Sequence, residues 1–222
     1  MTNNCNICLE VSGLETDKFD PTYSELIRTR KNIILESTNF LVIPSFGPLN
    51  HSHAMLIPKK HANSFAELST AEIDEGFGVL DLLRSYIQEK TDKTLVFFES
   101  GAGTMTSHSG GCITHAHIHC VIYSEKFDNR IMTEIALEPL LQRKDYSTSD
   151  TKAGYVWYLN KNNISHICNN PMLPSQFLRY IYAQACDSSS AWNWRRNINI
   201  TGVLSVLQTY KDLVSPSTYK VL

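Results

Sequence analysis

The run Thr114-His-Ala-His-Ile-His-Cys-Val-Ile-Tyr123 most constrains what this chain can fold into. Histidines alternate with small or apolar residues, a period of two that belongs to a β-strand. On such a strand His115, His117 and His119 share one face, and Ala116, Ile118, Cys120 and Ile122 share the other. One side therefore packs in a core while the other presents three imidazoles. Three of the chain's eight histidines fall in these five positions. Imidazole ligates metals, exchanges protons near neutral pH and attacks electrophilic centres. A strand of this kind points to chemistry on its histidine face.

The remaining pattern builds a sheet around it. Asn32-Ile-Ile-Leu-Glu36 and Phe40-Leu-Val-Ile43 form a strand pair across the Ser37-Thr-Asn39 turn. Ala54-Met-Leu-Ile57 is a third strand and Thr94-Leu-Val-Phe-Phe-Glu99 a fourth. Ser69-Thr-Ala-Glu72 has capping-box spacing and opens a helix to about Lys90, with Ile73, Phe77, Leu80, Leu83 and Ile87 on one face. A Gly- and Ser-rich loop, 100–111, leads into the histidine strand, which is the fifth. The expectation is an α+β fold, an antiparallel meander with a helix across one face. Beyond Phe127, 131–138, 174–185 and 200–214 read as helices, and Tyr155–Leu159 as a strand.

Charge and cysteine content narrow the classes. The net charge is -2, with basic residues dispersed, which favours neither a stable nucleic-acid partner nor an anionic membrane surface. The first residues lack a signal-peptide pattern, and no apolar run approaches the roughly 20 residues of a membrane span. A cytoplasmic protein with reduced or metal-bound thiols is expected, not a disulfide framework. Cys5-Asn-Ile-Cys8 has the spacing that lets two thiolates share one metal, the alternative being an exposed tail.

The motif His115-Ala-His-Ile-His-Cys-Val121 resembles the signature of the histidine triad (HIT) superfamily of nucleotide hydrolases and transferases. His53-Ala-Met-Leu-Ile-Pro-Lys-Lys-His61 is similar to that family's upstream strand. The likeness spans roughly residues 5 to 125. It implies a HIT-like catalytic domain over 1–126, with about five antiparallel strands and a long helix. Residues 127–222 then form a mainly helical extension packed on it. It also implies His117 as the nucleophile, with His119 and His53 on phosphate oxygens; the alternative for His53 is a plain strand end. His61 and His115 would join Cys5 and Cys8 around a structural zinc.

Two departures from the family pattern stand out. Gly111 and Cys112 replace the usual Gln and hydroxyl before the triad, so Ser107, His108 and Cys112 become the candidate leaving-group contacts. Ser45 stands where many members carry a ribose-binding acid, leaving Asn39 or the extension to supply that contact. Gln176, Arg179, Trp192, Trp194 and Arg195 combine phosphate-pairing and base-stacking chemistry, or else form a packed helical layer with solvated arginines. The implied activity is a nucleotide hydrolase acting at an α-phosphorus through a nucleotidyl-histidine, on a dinucleoside polyphosphate or nucleoside phosphoramidate. The alternatives are a nucleotidyltransferase or phosphorylase with the same intermediate, and a non-catalytic nucleotide- or partner-binding protein. A homodimer is compatible with the resemblance.

Overall fold

A computed structural model describes residues 5–14, 20–105, 109–110, 113, 115–187 and 192–213. Its centre is one antiparallel sheet of eight strands: the five expected in the N-terminal half, the expected Tyr155–Leu159 strand, and two more. The strands are β1 (Leu35–Glu36), β2 (Phe40–Pro44), β3 (Ala54–Pro58), β4 (Leu95–Gly101), β5 (Ile118–Ile122), β6 (Glu138–Pro139), β7 (Tyr155–Leu159) and β8 (Ser165–Asn169). Their order is β1-β2-β3-β5-β4-β7-β8-β6. The expected meander is therefore broken once. β3 pairs with β5 and not with β4, so β3 and β4 run parallel. Parallel strands need a crossover, which the long helix α3 (Thr70–Thr91) supplies.

The C-terminal stretch is less helical than expected, because it contributes β6, β7 and β8. β7 pairs with β4 from Phe97↔Leu159 to Gly101↔Tyr155, so the sheet continues without a break from the N-terminal half into the C-terminal one. The apolar runs Leu95-Val-Phe-Phe98 and Tyr155-Val-Trp-Tyr-Leu159 are buried along their whole length. That is what a strand covered on both faces requires.

Alternate residues feed two layers. On one face, Leu56, Phe97, Ala116, Ile118, Cys120 and Trp157 pack under Phe77, Leu80 and Leu83 of α3. On the other, α4 (Glu125–Glu134) and α5 (Phe177–Ala185) cover Val96, Phe98, Val121 and Tyr158 through Phe127, Ile131, Leu178 and Ile181. Farther along this second face, the short helix α1 (Asn6–Val11) rests Ile7 on Leu41, Ile43, Met55 and Ile57. Between these two coverings lies the histidine side of β5, with His117 and His119 still buried. Helices α2 (Pro21–Arg28) and α6 (Ile200–Thr209) close the edge of this gap through Tyr23, Ile27 and Val203. No helix among the described residues is long and apolar enough to cross a membrane.

Candidate active site and metal centre

The histidine motif straddles a strand start. His119 lies within β5, flanked in register by Met55 and Phe98, while His115 and His117 precede the strand. The alternation still holds, since Ala116, Ile118 and Cys120 all enter the core under α3.

Backbone contacts fix the tautomer of each ring. His117 Nδ1 lies 2.7 Å from the carbonyl oxygen of His115. A carbonyl only accepts, so Nδ1 carries the proton and Nε2 keeps a bare lone pair. At His53, Nδ1 accepts the amide N–H of Leu49 at 2.9 Å, which places its proton on Nε2. That proton is donated to Nδ1 of His119, 2.9 Å away, leaving His119 protonated at Nε2. The result is one bare nitrogen on His117 beside one N–H on His119, with ring centroids 4.8 Å apart. Burial is the main cause that holds His117, His119 and His53 below the usual histidine range, and the charge of Arg179 pushes the same way. Neutral imidazoles are therefore the resting forms.

His53 is placed differently from its sequence expectation. It is fully buried, and both of its nitrogens are taken by Leu49 and His119. It orients His119 and has no nitrogen left for a phosphate oxygen.

Two cavities meet at this pair. The larger takes its lining from α1, the loop after β2, the histidine motif and the 192–196 turn. Its walls include Glu10, Phe46, Ile113, His117, Arg179 and Trp194. The smaller lies against Phe98, Ser100, Gly110, Gln176 and Leu178. His117, His119 and Arg179 line both.

The C-terminal residues singled out by sequence divide into two groups. Arg179, on α5, is buried with Nε on Trp192 O, Nη1 on Ser45 Oγ and Nη2 on Gly47 O. These bonds anchor the 192–196 turn to the loop after β2. Gly47 permits the approach, because a Cβ there would sit 2.7 Å from Trp194 Cβ. Gln176 takes a left-handed backbone (φ 64°), and its N–H donates to Gly110 O at 2.6 Å. Its Oε1 is buried with no partner among the described residues. Arg179, Gln176 and Trp194 thus reach the cavities. Trp192 instead stacks edge-on against Tyr180, and Arg195 lies over the ring of Trp194 beside a separate cleft.

Asn39 does not come to this site. It lies at the opposite end of β2 from Ser45, and its amide is committed to Glu75 of α3 at 2.6 Å. Ser107, His108 and Cys112 lie outside the described residues.

A second constellation forms where α1 meets the histidine motif. Cys5 Sγ, Cys8 Sγ, His61 Nδ1 and His115 Nδ1 all lie within 4.8 Å of one another. His115 Nε2–H donates to Pro58 O at 2.9 Å, so its Nδ1 is the free, unprotonated donor atom. Burial drives His115 down to about 4, which keeps that nitrogen bare. The sulfur–nitrogen separations are 3.3, 3.4 and 3.6 Å. A tetrahedral zinc with bonds of about 2.3 Å to sulfur and 2.0–2.1 Å to nitrogen needs edges of about 3.5 Å. The donor set and spacing fit such an ion.

The sequence did not single out Glu10. It lies on α1 two residues past Cys8, buried in the wall of the larger cavity. Tyr23 Oη and Asn32 Nδ2 both donate to its Oε1, the latter at 2.9 Å. Burial pushes Glu10 up to about 7, against the opposing effect of those two bonds.

Fold and site together define an antiparallel α+β protein with a histidine-lined cleft and an adjoining Cys2His2 cluster. No protein-family model matches the chain, and no curated protein matches it. Solved structures that align with part of the chain include SMU.412c from Streptococcus mutans UA159, at 19% identity and TM-score 0.42 over 55% of this chain and 67% of that one. A HIT family protein from Bacillus subtilis aligns at 15% identity and TM-score 0.41, over 54% and 72% of the two chains. A zinc-bound histidine triad family protein from Mycobacterium smegmatis aligns at 19% and 0.39, over 55% and 76%.

Proposed function

We propose that this chain is a nucleotide hydrolase that works through a covalent nucleotidyl-histidine at His117. The observation that carries the reading is the bare Nε2 of His117, fixed by the His115 carbonyl at the junction of two cavities. A nucleotide in the larger cavity brings its α-phosphorus to Nε2. The P–N bond forms as the bond to the leaving group breaks, and the leaving group departs with the bonding pair into the smaller cavity. His119 Nε2–H donates to a non-bridging phosphate oxygen, whose charge grows in the transition state. His53 holds His119 in the tautomer that makes this donation. Water then attacks phosphorus, the P–N bond breaks with its electron pair returning to His117 Nε2, and the proton of the water passes to solvent.

Residues 1–126 carry this chemistry. Residues 127–222 complete the cleft, with Gln176 just before α5 and Arg179 within it as the substrate contacts. Zinc at Cys5, Cys8, His61 and His115 is structural. With four protein ligands it has no open position, and it ties the N-terminal tail to the catalytic segment. Dinucleoside polyphosphates and nucleoside phosphoramidates are the substrate classes with a suitable leaving group.

The test is intact-protein mass spectrometry after rapid quenching with a dinucleoside polyphosphate and with a phosphoramidate. A nucleotidyl mass shift that maps to His117 is expected. No shift in the wild type with either substrate, at concentrations where turnover is seen, overturns the covalent route.

A further inference from the structure

We infer that Glu10 is a specificity residue of the larger cavity, where its Oε2 accepts a hydrogen bond from a sugar hydroxyl of the bound nucleotide. This rests on the nucleotide reading above and names the feature of the nucleotide that is selected.

Glu10 is the one carboxylate among the described residues that line the cavity. The wall is otherwise largely apolar or aromatic, with Ile7, Phe46, Met55, Ile113 and Trp194. A carboxylate in such surroundings is costly unless its lone pairs are used. Tyr23 and Asn32 both spend their protons on Oε1. No described residue donates to Oε2, although the residue is only 8% exposed. One oxygen is thus built into the scaffold, and the other is left over in a cavity wall.

The position fits a sugar. A nucleotide with phosphorus at His117 Nε2 directs its base away from the histidines, toward Phe46 and Trp194, whose rings stand edge-to-face at 6.2 Å. The sugar lies between those ends. Tyr23, which holds Glu10, has its ring 4.8 Å from Phe46, so Glu10 flanks the aromatic end. The loop after β2 offers no other acid, and Ser45 Oγ already accepts from Arg179. A ribose hydroxyl pair is the donor that a nucleotide carries at this point.

The alternative for Glu10 is a purely scaffolding role, and Glu10→Gln separates the two. The amide oxygen can still accept from Tyr23 and Asn32, while the NH2 group replaces an acceptor by a donor at the Oε2 position. The probes are AMP and 2′,3′-dideoxy-AMP, titrated calorimetrically into metal-loaded, full-length protein. Wild type should prefer AMP, and E10Q should weaken AMP roughly ten- to a hundredfold while leaving the dideoxy compound unchanged. Equal weakening of both ligands, or no change in either, overturns the inference and leaves the nucleotide reading intact. Wild-type protein that binds neither nucleotide overturns both. Metal content and melting temperature of E10Q are measured alongside, and a loss of both ligands together with lowered stability counts as the scaffolding result.

Discussion

The carbonyl oxygen of His115 accepts the Nδ1 proton of His117 at 2.7 Å, while the ring of His115 faces Cys5 and Cys8. One residue thus sets the tautomer of the proposed nucleophile with its backbone and joins the Cys2His2 cluster with its side chain. The two functions are separable by substitution, because only the ring of His115 is changed by mutation.

Replacing His117 by Ala removes the bare Nε2 and leaves the cluster untouched. Turnover should fall at least about a thousandfold, with the nucleotidyl adduct lost. Metal content should stay normal, and stability should drop by only about 1 kcal/mol from the unpartnered His115 carbonyl. Wild-type turnover in this variant would remove His117 from the nucleophile role.

His53→Ala tests the positioning role. Without the Nε2–H of His53, nothing described donates to His119 Nδ1, and His119 is free to carry its proton on the wrong nitrogen. kcat should fall about a hundredfold while KM moves little, because no substrate contact is lost. A large rise in KM with unchanged kcat would instead place His53 on the substrate.

Cys8→Ser should release the metal and lower the melting temperature. A loss of even about 3 kcal/mol of metal-linked folding energy amounts to roughly 6–12 °C in a chain of this size. Elemental analysis and thermal melts of wild type and variant decide it. Metal-free wild-type protein, prepared without chelators, would refute the site.

Glu99 gives a pH signature far from the cluster. It is buried, accepts from Phe65 N–H and Tyr155 Oη, and is pushed up to about 8, chiefly by burial. Between the ordinary value of 4.5 and about 8 the folded protein keeps a proton that the unfolded chain releases. Stability is therefore lost as pH rises through that window. In urea melts, the stability of wild type relative to Glu99→Gln should decline across this range. Parallel curves would show that Glu99 does not titrate as described.

Ending the chain after residue 126 deletes β7 and leaves β4 as an edge. Phe97, Phe98 and their neighbours would then present an apolar, unpaired strand, a template for association. The truncated protein should aggregate or fail to bind nucleotide. A soluble, monomeric, active 1–126 fragment would show that the C-terminal stretch is dispensable.

Much of this was legible in local pattern. The Tyr155–Leu159 run and the capping box at Ser69 predict β7 and the start of α3 closely, because both signals are contained within a few residues. Half of the Cys2His2 cluster was legible in the spacing of Cys5 and Cys8, whereas His61 and His115 joined it only through the family resemblance. The strand order was not, since period and spacing do not say which partner a strand takes after a crossover. Helix α2 did carry a signal, Asp20 capping with Pro21 behind it. Asn39 shows a further limit. Sequence places it beside the right strand but not at the right end, and Glu75 has claimed its amide. Glu10 was invisible, because a single acid in a six-residue helix means nothing until Tyr23, Asn32 and the cavity are seen around it.

Helix α1 holds Cys8 of the cluster and, two positions on, Glu10 of the cleft wall. An ion at the cluster and a nucleotide in the cleft would both stabilise this one short segment. Binding equilibria coupled in this way are reciprocal: whatever factor the ion contributes to nucleotide affinity, the nucleotide returns to ion affinity. The protein would then give up its metal most readily when its cleft is empty, so scarcity of nucleotide and scarcity of zinc would act on it as a single stress.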